Sequence, residues 1–105
     1  MVGTGLDAVR ADLTHRIAAI DGRAARSQTH DLVGELHQVR AIAHRAGLHP
    51  AVTVAHLLDR ALSRGEHGPL VHGWLGMLSD AVGCERSDDA ACDIFAAACA
   101  VRLAG

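Results

Sequence analysis

The chain has 105 residues and a mass of 11.0 kDa, half of it apolar and 21% charged, which is one domain's worth of core and leaves nothing for a separate cofactor domain. Ten arginines and no lysine stand against twelve acids, a formal charge of −2, so a general nucleic-acid surface is not expected. Trp74 and Phe95 are the whole aromatic complement, too few for a base-stacking platform.

Twenty alanines, many leucines and arginines and two prolines favour helix, and no stretch alternates long enough to make a strand. Breakers cut the chain into about five helical pieces. The first runs from about Thr4 to Arg26, with Leu6, Val9, Leu13, Ile17 and Ile20 recurring at spacings of three and four; Asp21-Gly22 is expected to end its regular part. The second begins at Ser27 or Thr29, either of them a fair N-cap, and runs to Ala46. Its buried stripe is Leu32, Leu36, Val39, Ala43 and Ala46, and Gly47 stands where a C-cap glycine belongs. Pro50 opens the third, followed by Val54, Leu57, Leu58, Ala61 and Leu62, with Gly65 closing it. The fourth spans about Pro69 to Val82, with Leu70, Val71, Trp74, Leu75 and Leu78 inward. The fifth starts from Ser87 as N-cap and puts Ile94, Phe95, Ala98, Val101 and the pair Cys92 and Cys99 on one broad face.

The short connections imply antiparallel neighbours. The expected fold is all-α, an antiparallel up-and-down four-helix bundle with an additional C-terminal helix, in one domain over residues 1–105. No apolar run approaches ~18 residues, so no membrane span is expected. Residues Met1 to Asp12 do not read as a signal peptide. The odd cysteine count, with Cys92 and Cys99 about 10 Å apart along a helix, reads as reduced thiols facing the core of a cytoplasmic protein.

Eight histidines invite a metal reading. His30, His37 and His44 recur every seven residues on the face opposite the apolar stripe of the second helix. That spacing separates them by about 10 Å each, too far for two of them to share an ion, so they read as solvent-facing. The other five, His56 among them, show no ligand pattern. A second reading takes Arg40 to Val54 as a helix-turn-helix, but Thr53 and His56 fall where that motif needs apolar residues.

A third pattern starts at His37: Val39 two residues on, Arg40 three on, Ala41 four on and Gly47 ten on. It continues without a gap through Val52, Val54, Ala55, Leu58 and Asp59, and Ser63 to Glu66 form a short polar loop. This run resembles the signature of the histidine phosphotransfer domains of bacterial phosphorelays, over about residues 5 to 83. The fifth helix makes it similar to the chemotaxis-kinase branch of that family. Arg40 stands where the family usually has Lys, and Ala41 where it usually has Gly.

The resemblance implies that His37 accepts a phosphoryl group and that Arg40 steadies it. It implies a docking face that includes Gly34, Ala41 and His44, and partners that are a response-regulator receiver domain, a histidine kinase or both. The chemistry agrees. Imidazole is a nucleophile close to neutral at cellular pH, and a cation one helical turn away can stabilise the transferring oxygens. No phosphate loop or nucleotide site is evident, so the chain reads as a carrier rather than an enzyme, with no cofactor or metal of its own and no small-molecule substrate. A phosphorylated carboxylate and its Mg²⁺ would come from the partner. The alternative within the same fold is a degenerate bundle that binds signalling partners without transferring phosphate.

Overall fold

The computed structural model describes residues 4–24, 29–65, 69–84 and 89–103. They form five helices: α1 (Thr4–Arg23), α2 (Thr29–Arg45), α3 (His49–Ser63), α4 (Pro69–Gly83) and α5 (Asp89–Leu103). No strand occurs among the described residues.

The α2–α3 corner shows how local sequence sets the path of the chain. Gly47 takes φ +76, which side-chain-bearing residues rarely adopt. The Leu48 N–H then donates to the Ala43 carbonyl at 2.9 Å and the Gly47 N–H to the His44 carbonyl at 3.1 Å. These are the two bonds of a Schellman ending, and they satisfy carbonyls that α2 leaves unpaired. Leu48 is buried at the corner, and Pro50 follows in the first turn of α3, where its missing N–H is no loss. Gly65, at φ +89, follows α3 in the same manner.

Packing follows the apolar stripes. Leu13, Ile17 and Ile20 of α1, Leu32, Leu36, Val39 and Ala43 of α2, and Val54, Leu58 and Leu62 of α3 share one core with Trp74, Leu75, Leu78 and Val82 of α4. Helix α1 packs on α2 and α4, α3 packs on α2 and α4, and α5 lies against α3 and α4. The start of α1 meets the end of α4, where the Arg10 guanidinium donates to the carbonyls of Val82 and Cys84 at 3.2 and 3.3 Å. The end of α1 meets the start of α4, where His72 Nδ1 lies 2.8 Å from an Asp21 carboxylate oxygen. Among the described residues no polar or charged side chain is buried. No helix among them is long and apolar enough to cross a membrane.

Several boundary and burial expectations are corrected. Helix α1 ends at Arg23, one residue past Gly22, where the Ala24 N–H donates to the Asp21 carbonyl at 3.3 Å, and Thr29 is the first helical residue of α2 rather than its cap. Leu6, Leu70 and Ile94, expected inward, are exposed, Ile94 by 59%. Ala46 and Cys92 are half-buried. Helix α5 explains the largest of these errors: it is apolar nearly all round yet packs chiefly on α3 and α4, so one side stays in water. Ser27, Glu66, His67, Ser87 and the side chains of His30 and Val101 lie outside the described residues.

Candidate functional site

Helix α2 buries Leu32, Leu36, Val39 and Ala43 and turns its other side outward. The 3.6-residue period therefore leaves Gly34, His37, Ala41 and His44 exposed, with Arg40 half-buried at the edge facing α3. His37 sits in the middle of the helix with 53% of its side chain in solvent. Gly34 and Ala41, about one turn to either side, add no bulk around the imidazole.

An open groove of about 490 Å³ runs between α2 and α3. His37, Arg40, Ala41, His44 and Arg45 line it from α2, and Val52 and His56 from α3. Asp59 stands at the His37 end, its Oδ1 3.6 Å from His37 Nε2. That separation is longer than a hydrogen bond, but it is a close approach between a carboxylate and an imidazole.

The five site residues named from sequence thus share one face, and four of them, His37, Arg40, Ala41 and His44, line one groove. Gly34 lies on the same exposed face, outside the groove lining. Sequence reasoning set His56 aside and gave no role to Asp59 or Arg45. Their signal was present: Val52, His56 and Asp59 are spaced by four and three, so they share a side of α3. What the spacing lacked was which side of α3 meets α2.

The cations differ sharply between the two flanks of α2. On the α1 side, Arg16 pairs with Asp12 at 2.9 Å and also donates to Gln38, and Arg23 pairs with Glu35. On the α3 side, neither Arg40 nor Arg45 has a carboxylate partner among the described residues. No group of three or more metal-ligating side chains converges among the described residues. The three cysteines are unpaired, and burial raises the pKa of the Cys99 thiol.

Comparison with protein-family models, with curated proteins and with solved structures finds no match for this chain.

Proposed function

We propose that the chain is a histidine phosphotransfer protein, a cytoplasmic carrier of bacterial two-component signalling that holds a phosphoryl group on His37. In this reading α1 to α4 are the antiparallel up-and-down four-helix bundle of that family and α5 is an addition packed on α3 and α4. The observation that carries it is the constellation around His37: an exposed mid-helix imidazole, Arg40 three residues on, and the Asp59 carboxylate across the groove.

The transfer balances with these groups alone on this side. The ring nitrogen turned away from Asp59 uses its lone pair to attack the phosphorus of a receiver's aspartyl phosphate. The new N–P bond forms as the P–O bond to the acyl oxygen breaks, and the receiver regains its carboxylate. No proton has to leave: the imidazole becomes a phosphorylated imidazolium. Asp59 faces its other ring nitrogen and stabilises the positive charge as it develops, and Arg40 offsets the negative charge on the phosphoryl oxygens. Helices α2 and α3 hold the three on rigid elements, as an in-line transfer between two proteins requires.

The test is incubation with a phosphorylated receiver domain, and separately with phosphoramidate as a small phosphoryl donor. The expected product is an acid-labile, base-stable phosphate on His37. Binding of the receiver with no phosphate on His37 from either donor would instead establish the inert, partner-binding form of the bundle.

A further inference from the structure

We infer that the far end of the α2–α3 groove, walled by His44, Arg45 and Val52, is a docking subsite for an acidic protein surface, and that Arg45 sets the affinity for that surface. The inference rests on the carrier reading of the same groove, and it concerns how a partner is held rather than how phosphate moves.

Three observations converge on it. The first is where unneutralised positive charge lies. Arg16 and Arg23 on the α1 flank of α2 are tied to acids of the chain itself, whereas Arg40 and Arg45 on the α3 flank have no carboxylate partner among the described residues. The chain is acidic overall, yet up to residue 65 it has eight arginines against six acids, and beyond that two against six. With Arg40 and Arg45 against the single carboxylate of Asp59, which stands at the His37 end, the far end of the groove is a local positive site on a net-negative molecule, and the Arg45 guanidinium, exposed to water, is poised for a bidentate bond to an incoming carboxylate.

The second is distance. Arg45 follows His37 by eight residues, about 12 Å along the helix axis at 1.5 Å per residue. A carboxylate that exchanges phosphate at His37 cannot also reach Arg45. Any acid that Arg45 binds is thus a second group on the same partner surface, and Arg45 is a positioning residue.

The third is the shape and chemistry of the floor. Ala41 lies between the two ends and carries only a methyl group, and Val52 adds an apolar wall, so a polypeptide can lie close along the groove. The groove is longer than a lone phosphate needs, and no Trp, Tyr or Phe lines it to make a stacking platform for bases. Both features favour an acidic stretch of protein.

Histidine ring resonances followed by NMR during titration with a capped hexa-aspartate peptide test this directly, with capped hexaglutamine, inorganic phosphate and hexathymidylate as comparisons. Hexa-aspartate should shift His44 and His56 saturably, and hexaglutamine should not. Arg45→Gln should raise the peptide Kd by about fivefold or more, with Arg45→Lys recovering part of the loss, while Arg16→Gln stays within about twofold of wild type. Raising salt should weaken the wild-type complex. An unchanged Kd for Arg45→Gln, shifts confined to His15 and His72, or tighter binding of phosphate or hexathymidylate than of the peptide would each overturn the inference. Phosphoramidate labelling of wild-type His37, read in parallel, keeps the two ideas apart. Labelling without peptide binding removes the docking subsite alone, and peptide binding without labelling removes the carrier reading alone.

Discussion

His37, Arg40 and Asp59 divide one task by chemistry, and substitutions should separate their shares. His37→Gln removes the nucleophile and should abolish labelling, since no other histidine has the same cation three residues on and glycine ten on. Arg40→Ala should slow transfer by about 10- to 1,000-fold by removing charge stabilisation of the phosphoryl oxygens, and Arg40→Lys should keep much of the rate. Asp59→Asn keeps the shape but removes the negative charge beside the ring; transfer from a phosphorylated receiver should fall by about tenfold, read as the single-turnover rate. Away from the groove, Cys99 is almost wholly buried, and its thiol ionises at a higher pH than usual because burial disfavours the thiolate. Native-state alkylation with iodoacetamide should therefore modify Cys84 and Cys92 well before Cys99. The unfolded thiol ionises at lower pH than the folded one, so Cys99 makes its full contribution to stability below the ordinary thiol range. That contribution is lost as pH rises through the folded-state value.

Among the elements, α2 carries both the fold and the site, on opposite sides. Its inner stripe holds the core and its outer stripe presents His37, so changes to the two should act separately. Ala41→Gln places a long side chain in the exposed groove and should weaken receiver binding while moving stability by less than about 0.5 kcal/mol in urea unfolding. The end of α2 is more demanding. A Cβ at Gly47 would meet nothing within 4 Å, so the cost of Gly47→Ala is the backbone conformation itself, φ +76. About 1 kcal/mol of lost stability is expected, measurable as a lower urea midpoint with an unchanged slope. The same turn sets how α3 leaves α2, and with it the approach of Asp59 to His37.

At the scale of the whole molecule, burial and charge are separated in space. Leu36 and Leu58 are buried beneath the surface that bears His37 and Asp59. Truncating either to Ala should cost about 2–5 kcal/mol, because neighbouring side chains only partly close the cavity. Thermal or urea unfolding measures that loss, and labelling at a temperature where the variant is still folded should persist if the groove keeps its shape. Helix α5 behaves differently. It packs on α3 and α4 but not on the groove, and Ile94 projects into water. Ile94→Glu should leave stability within about 0.5 kcal/mol of wild type, unlike the buried leucines.

The helical class, the inner stripes of α2, α3 and α4, the glycine ending of α2 and the exposure of His37, Ala41 and His44 all follow from local rules. A 3.6-residue period, a positive-φ glycine and a proline in a first turn act within a few residues of chain. Other features depended on how one helix meets another. Asp59 reaches His37, and His56 joins the same groove, only because a particular side of α3 faces α2, and the sequence spacing of 22 residues between His37 and Asp59 does not encode that rotation. Leu70 and Ile94 satisfy the apolar period yet lie in water, because periodicity marks a side that can be buried and packing decides whether a neighbour covers it. The contrast between Arg23, paired across helices, and Arg40 and Arg45, which have no carboxylate partner among the described residues, belongs to the same class. The Arg16–Asp12 pair is four residues apart within α1 and is legible in sequence, but Arg23 meets Glu35 only because α1 lies along α2, since such an ion pair needs its partners within a few ångströms in space rather than along the chain.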